Sequence, residues 1–253
     1  MQGHKVPLTH RDHFLVLGDT IIETTSWNRD AVFTGFYYRD LFVDCFKKGA
    51  QWISMPLATH NPQYIDDMDD WIPDNEPMID APNLTLYNDT IFLADYGANN
   101  QLGIEWIKRH FPQYNYIHMD RQHFQGHLDS HFCIVAPGKI LTWHPREHFP
   151  EYFKNWTFIQ LDKSYDTMKS GVQQLLDGRI QDDDFANTVL SANSLVLDAN
   201  RIAMQGGYKD SNLGIVKEIE KHGIDIVWVP LNYQYFFNHG ITCVTLDLVR
   251  DNG

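Results

Sequence analysis

The sequence predicts an α/β protein in which one unit, two strands followed by a helix and a third strand, occurs several times. Three stretches show this order, at residues 13–55, 84–120 and 194–230. In each stretch, short runs rich in β-branched and aromatic residues surround a segment with apolar residues at helical spacing. The recurrence favours a quasi-symmetric α/β array over an open doubly wound sheet.

The boundaries of these elements follow from turn and cap residues. A Gly18-Asp19 turn separates two apolar runs and predicts an opening hairpin, because this dipeptide tolerates positive φ. The first helix closes with lysines and Gly49, as helix C-termini often do. Residues 57–82 are rich in Asp, Pro and Asn without periodicity, which predicts a long surface connection.

Composition restricts the class of protein. A chain of 253 residues with 43% hydrophobic residues is expected to form one globular domain over residues 1–253. The formal net charge of -13 argues against a nucleic-acid partner. No apolar run reaches the length of a membrane helix, and the first residues lack the apolar core of a signal peptide, so we expect a cytoplasmic protein without a membrane partner.

The segment HFQGHLDSHFCIVAPGKI holds the densest group of polar side chains. Its FCIV run and its Pro-Gly stop predict a strand, on which His127, Asp129 and His131 would share one face. An imidazole beside a carboxylate could act in acid-base chemistry, although a solvated polar face explains the pattern equally well. A zinc site on His123, His127 and His131 is disfavoured, because a strand would spread the imidazoles over roughly 13 Å.

The three cysteines, Cys45, Cys133 and Cys243, have no CxxC spacing, so a disulfide framework is not indicated. Cys45 and Cys133 lie in apolar surroundings typical of small buried residues. Cys243 follows a loop with Gly240 and precedes a predicted strand, where backbone amides and open access would suit a reactive thiolate. By themselves, Asp12 and Asp80 read as turn or cap residues.

These segments together resemble the amidinotransferases typified by glycine amidinotransferase. The resemblance extends over nearly the whole chain and rests on six stretches: HRDHFLVLGDTIIE, KKGAQWISMP, IDAP, LGIEWIKRH, HLDSHF and APGKI. It implies the pentein fold, an α/β-propeller of five ββαβ units around a central channel that holds the active site. It implies no metal, nucleotide or organic cofactor.

The resemblance also implies residue roles. Cys243 matches the nucleophile of the family, His127 its general acid and base, and Asp80 the carboxylate that orients this histidine. Asp12 and Asp129 match carboxylates that grip the guanidinium group. Arg146 matches an anchor for the substrate carboxylate.

Other positions depart from the family pattern and bear on the acceptor amine. Phe124 and Gly126 stand where glycine-using members have Asn and Met, which is more similar to members that act on larger acceptors. Asn187 stands at a substrate-site position where members often have serine. In the loop before the nucleophile, Thr242 replaces a histidine.

Three functions stay open at this point. The first is transfer of an amidino group from L-arginine to an acceptor amine, either glycine or a larger amine, through an amidino-cysteine. The second is hydrolysis of arginine, as in related deiminases and dihydrolases of the same fold. The third is guanidine binding without catalysis. The partners implied are small molecules, and a homodimer is one of the open oligomeric states.

Overall fold

The computed structural model describes most of the chain, in seven segments: residues 9–25, 33–57, 76–94, 99–161, 192–205, 214–230 and 240–249. The chain divides into two compact units, the first formed by residues 1–128 and 243–253 and the second by residues 129–242. Compact units of this size also occur inside single domains. The prediction of one domain over residues 1–253 therefore stays a prediction.

The first unit contains two sheets of identical design. One consists of β1 (Phe14–Leu17), β2 (Thr20–Glu23) and β3 (Gln51–Ser54), with helix α1 (Thr34–Lys47) before β3. The other consists of β4 (Leu84–Tyr87), β5 (Thr90–Leu93) and β6 (Asn115–His118), with helix α2 (Gln101–His110) before β6. In each sheet the first two strands are antiparallel and the third is parallel to the second.

The second unit repeats this strand order twice. One sheet consists of β7 (Phe132–Ala136), β8 (Lys139–Thr142) and β9 (Thr157–Gln160). The other consists of β10 (Leu195–Asp198), β11 (Arg201–Gln205) and β12 (Asp225–Val229), with helix α3 (Gly214–Lys221) before β12. Two single turns of 3-10 helix, Arg146–His148 and Glu151–Phe153, stand where the β8 to β9 connection would otherwise hold a helix.

This topology follows from local chain geometry. Antiparallel neighbours can be joined by a two-residue turn, and the β1–β2 hairpin turns at Gly18, whose φ is +59°. A parallel neighbour instead requires a long crossover, which α1, α2 and α3 provide. The predicted repeat of two strands, a helix and a strand is thus confirmed at all three stretches. No fifth sheet lies within the seven described segments.

Each unit has its own apolar core. In the first unit, one cluster joins β1, β2, β4, β5 and α2, and a second packs Phe42 of α1 against β1 and β2. In the second unit, apolar side chains of β7, β8, β9, β11 and α3 form a single cluster. The removal of these side chains from water is the main term that stabilises such layered units.

Two predicted strands are wrong. The segment around His127 does not enter a strand until Phe132, because residues Leu128–Ser130 form a turn of 3-10 helix. Cys243 lies in a turn at residues 241–244, and residues 240–249 contain no strand. In both places the β-favouring residues were outweighed by contacts that are distant in sequence.

Candidate active site

An imidazole and a carboxylate are paired in the first unit. His127 Nε2 lies 2.9 Å from Asp80 Oδ2, and the side chain of Asp80 is 7% exposed against 35% for that of His127. A buried carboxylate held at this distance fixes the orientation of the ring. The structure therefore brings together two residues that lie 47 positions apart in the sequence.

Asp80 is held by a frame of buried amides. Its backbone N–H donates to Asn99 Oδ1 over 2.6 Å, and Asn99 Nδ2 donates to the carbonyl of Ala94. Asn100 caps α2 by accepting from the N–H of Gly103, and the same Oδ1 accepts from the N–H of Met78. Because these bonds join the start of α2 to the residues before Asp80, the position of the carboxylate is fixed by the fold.

Gly103 is necessary for this frame. A Cβ on Gly103 would lie 2.0 Å from the carbonyl oxygen of Met78, a distance that no side chain can occupy. Sequence analysis did not identify Asn99, Asn100 or Gly103. The N-cap signal of Asn100 at the start of α2 was present, but its second role toward Met78 has no local sequence signature.

Asp80 also faces a second histidine. Burial lowers the pKa of His13, while the nearby charge of Asp80 acts in the opposite direction and His10 adds to the lowering. The Nδ1 atom of His13 is buried and has no hydrogen-bond partner within the described segments. Asp12 precedes His13 in the sequence, in a turn of 3-10 helix formed by His10–Asp12.

The main chain at Cys243 and Val244 contacts this same 3-10 turn. The N–H of Arg11 donates to the carbonyl of Cys243 over 3.4 Å. Burial lowers the pKa of His10, and a hydrogen bond to the backbone of Val244 opposes that shift. Asp12, Asp80, His127 and Cys243 therefore all belong to the first unit. Cys243 is 6% exposed, so the expectation of an open cysteine is wrong.

Asp129 belongs to the second unit, where its carboxylate is held by a hydroxyl. Thr242 Oγ1 donates to Asp129 Oδ2 over 2.7 Å. Because Asp129 lies in a turn of 3-10 helix, the predicted strand face shared by His127, Asp129 and His131 does not exist. His131 instead pairs with His144, with 2.7 Å between His131 Nδ1 and His144 Nε2.

Two further side chains bind the turn that contains Thr242. Asn193 Oδ1 accepts from the N–H of Thr242 over 2.8 Å, and Gln205 Oε1 accepts from the N–H of Ile241 over 3.1 Å. Asn193 and Gln205 are each 1% exposed. A Cβ on Gly240 would lie 2.1 Å from Asn193 Oδ1, so glycine is required at that position. Gly240 and Thr242 stood out in the sequence, whereas Asn193 and Gln205 were not predicted from it.

Arg146 has a well-defined set of contacts in the second unit. Its guanidinium donates to the carbonyls of Lys154 and Trp156 over 2.9 and 2.7 Å. The same group lies 4.3 Å from the ring centroid of Phe158, a cation-π distance. These contacts are structural, and the role of Arg146 as an anchor for a substrate carboxylate stays a prediction.

The three remaining predicted substrate residues differ in their surroundings. Phe124 is fully buried in the first unit, so it could shape an acceptor site only through the residues packed on it. Gly126 has a φ of +88°, a conformation that favours glycine, and turns the chain immediately before His127. Asn187 lies outside the described residues.

The described parts of the chain contain no group of three or more His, Cys, Asp or Glu side chains that could hold a metal ion. The predicted strand through His123, His127 and His131, which disfavoured a zinc site, is wrong, because residues 123–131 contain no strand. Among the described helices, none is long and apolar enough to cross a membrane.

Comparison with known proteins gives a consistent set of relatives. The chain is 25% identical over 251 residues to inosamine-phosphate amidinotransferase 1 of Streptomyces griseus, which covers 95% of this chain and 67% of the relative. It is 28% identical to the mitochondrial glycine amidinotransferase of Xenopus tropicalis, covering 95% of this chain and 58% of the relative. It is 25% identical to an L-arginine:L-lysine amidinotransferase of Pseudomonas savastanoi pv. phaseolicola, over 95% of this chain and 66% of the relative. No protein-family model matches the chain.

Solved structures agree with the sequence relatives on the fold. An inosamine-phosphate amidinotransferase from Streptomyces griseus superposes with a TM-score of 0.80 at 22% identity, over 97% of this chain and 69% of that one. An amidinotransferase of the saxitoxin biosynthetic pathway from Microseira wollei superposes with a TM-score of 0.77 at 24% identity, over 97% and 71%. A dimethylarginine dimethylaminohydrolase superposes with a TM-score of 0.62 at 11% identity, over 93% and 74%. The predicted pentein fold is confirmed.

Proposed function

We propose, from the premise that this chain is a relative of the amidinotransferases with the pentein fold, that it transfers an amidino group from L-arginine to an acceptor amine. The chain covers about two thirds or less of the sequence relatives described above. The proposal therefore concerns only the chemistry that the residues of this chain can carry out. The observation that supports it best is the 2.9 Å contact between His127 and the buried Asp80.

The substrate dictates what the site must provide. A guanidinium is planar, permanently charged and a poor electrophile, so carboxylates must hold it in the correct orientation for attack. In this proposal Asp12 and Asp129 accept hydrogen bonds from its N–H groups. Because the guanidinium has low intrinsic reactivity, the rate enhancement comes from binding it in a fixed orientation.

The reaction then has two halves. The thiolate of Cys243 attacks the guanidine carbon, and the bond from that carbon to the side-chain nitrogen of arginine breaks. His127 gives that nitrogen a proton, ornithine leaves, and an amidino group remains on sulfur. The acceptor amine gives a proton to His127, attacks the amidino carbon and releases the thiolate.

Asp80 sets how His127 performs these steps. Since Nε2 of the ring bonds to Asp80, proton exchange with the substrates falls to Nδ1 in the proposed mechanism. The carboxylate stabilises the imidazolium that forms after each proton is taken up. The frame of Asn99 and Asn100 fixes Asp80, and the ring orientation follows from that.

Hydrolysis is the second candidate, and the superposition on a dimethylarginine dimethylaminohydrolase favours keeping it. In that reaction ammonia would leave the guanidine carbon in place of ornithine, the rest of arginine would stay bound to Cys243, and water would then release citrulline. Glycine, lysine and larger amines are the acceptors to compare, because relatives named for glycine and lysine are both present. The burial of Phe124 gives no reason to prefer one of them.

The test uses labelled arginine with and without a set of amines. We expect ornithine and a new guanidino compound only when an amine is present, detected by mass spectrometry. Citrulline with ammonia from arginine alone would show hydrolysis instead. Cys243→Ala should lose turnover and still bind arginine, while Cys45→Ala, a thiol on α1, should keep full activity.

A further inference from the structure

We propose that Thr242 is a positioning residue that orients the Asp129 carboxylate for the guanidinium of the substrate. This inference rests on the proposed function and describes how one part of the proposed active site is built. It comes from three hydrogen bonds that residues 241 and 242 donate at the start of the turn at residues 241–244. All the residues involved belong to the second unit.

Two hydrogen bonds fix the direction of the Thr242 hydroxyl. The backbone N–H of Thr242 donates to Asn193 Oδ1 over 2.8 Å, and Thr242 Oγ1 donates to Asp129 Oδ2 over 2.7 Å. A β-branched side chain has few χ1 states, so a fixed backbone leaves its hydroxyl few other directions. Thr242 therefore holds one carboxylate oxygen of Asp129 at a defined place.

The type of donor matters for the proposed role. A hydroxyl is neutral, so it orients the carboxylate without cancelling its negative charge. A lysine or arginine at the same place would form an ion pair and compete with a cationic substrate. A threonine hydroxyl is thus suited to a carboxylate whose own partner is an incoming guanidinium.

The surrounding turn is built so that Thr242 cannot shift. Asn193 and Gln205 are buried and bind consecutive backbone N–H groups of residues 241 and 242. Gly240 permits Asn193 to approach, since a Cβ there would lie 2.1 Å from its side-chain oxygen. Buried polar side chains that satisfy backbone groups rigidify a turn, because a lost partner in a dry site is costly.

The test measures arginine binding by calorimetry in a Cys243→Ala background, where turnover cannot interfere. Thr242→Val removes the hydroxyl and keeps the shape, and it should weaken arginine binding about tenfold, the loss expected for one hydrogen bond to a charged group. Thr242→Ser restores the hydroxyl and should bind within about twofold of the background protein. With Cys243 intact, Thr242→Val should raise KM more than it lowers kcat.

A matched control separates positioning from stability. Thr25 is also buried and donates over 2.8 Å, in its case to the carbonyl of Pro56 in the first unit. Thr25→Val should lower the melting temperature to a similar extent and leave arginine affinity unchanged. If Thr242→Val does not fold, Thr242→Ala gives the same comparison with the serine variant.

The outcomes distinguish a failure of this inference from a failure of the proposed function. Arginine binding that is unchanged in Thr242→Val, or equally weak in Thr242→Ser, would overturn the inference and leave the proposed function standing. If the Cys243→Ala protein binds no arginine and the unmodified protein turns none over, the proposed function fails and this inference fails with it.

Discussion

Asp80 in the first unit and Asp129 in the second each form a short side-chain hydrogen bond, but the two bonds have different partners. Asp80 faces the imidazole of His127 at 2.9 Å, and Asp129 accepts from the hydroxyl of Thr242 at 2.7 Å. An imidazole exchanges protons near neutral pH, whereas a hydroxyl does not. The same side-chain type can therefore support proton transfer in one place and cation binding in the other.

The frames around the two carboxylates are alike in a way that supports this comparison. Asn99 binds the backbone N–H of Asp80 itself, and Asn193 binds the backbone N–H of Thr242, the partner of Asp129. In both cases a buried amide side chain fixes a backbone group. In the first unit the amide fixes the residue that carries the carboxylate, whereas in the second unit it fixes the hydrogen-bond donor of the carboxylate.

The largest effect is expected where the comparison assigns proton transfer. His127→Gln keeps a hydrogen-bond donor for Asp80 but cannot titrate, so kcat should fall by about 10²–10⁴-fold with little change in arginine affinity. Steady-state kinetics and calorimetry check the two halves of this prediction. His110→Gln, an exposed histidine at the end of α2, is the control and should retain activity. A His127→Gln protein that lost affinity and kept kcat would reverse the assignment.

Asp129→Asn should have the opposite effect and weaken arginine binding more than it lowers kcat. Asparagine can still accept from Thr242 through its amide oxygen, so the substitution removes the charge and leaves the orienting bond possible. Arginine binding should weaken by about 1.5 to 3 kcal/mol, the value of a charged hydrogen bond. Calorimetry in the Cys243→Ala background measures this. Equal affinities for the two proteins would remove Asp129 from the guanidinium site.

A smaller effect, on stability, tests the frame of the second unit. Gly240→Ala places a Cβ against Asn193 and should lower the free energy of unfolding by about 1 to 3 kcal/mol, as overpacking does. Urea denaturation checks the loss. Adding Asn193→Ala to Gly240→Ala should cost less than the sum of the two single changes, because the clash is removed. Strict additivity would show that the two residues do not press on each other.

The smallest effect concerns pH. Burial lowers the pKa of both His10 and His13, so the unfolded chain binds more protons than the folded one below the ordinary histidine value of 6.5. Folding stability contributed by these groups is present above that value and is lost as the pH falls below it. His13→Gln should reduce the slope of the free energy of unfolding against pH by at most about 1.4 kcal/mol per pH unit. Urea titrations between pH 7 and 5 give the slopes, and identical slopes would contradict the prediction.

Much of the fold could be predicted from the sequence because its signals are local. The hairpin at Gly18, the cap at Asn100 and the alternation of strands with helices were all present in neighbouring residues. The residues alone suggested only a turn at Asp80, and the role of Asp80 in orienting His127 stays a prediction from the resemblance, with the two side chains 2.9 Å apart. Local patterning failed at Leu128–Ser130, which forms a turn of 3-10 helix, and at residues 241–244, where distant side chains bind the backbone N–H groups of residues 241 and 242.

Asn193 and Gln205 show why part of the site could not be predicted. Each lies more than 30 positions from the backbone N–H that it binds. Asn193 precedes β10 and Gln205 ends β11, and both look in the sequence like ordinary polar residues at a strand boundary. Their burial depends on how β10 and β11 pack. Such long-range pairings have no periodic or motif signature, so they emerge only from the folded structure.

The central claim is that Cys243 carries the amidino group during turnover. The most direct measurement is intact-protein and peptide mass spectrometry after rapid acid quenching of the protein mixed with arginine. We expect a mass increase of one CH2N2 group, located on Cys243, that disappears when the acceptor amine is added. Turnover that proceeds with Cys243 unmodified, or with the added mass on Cys45 or Cys133, would contradict the account.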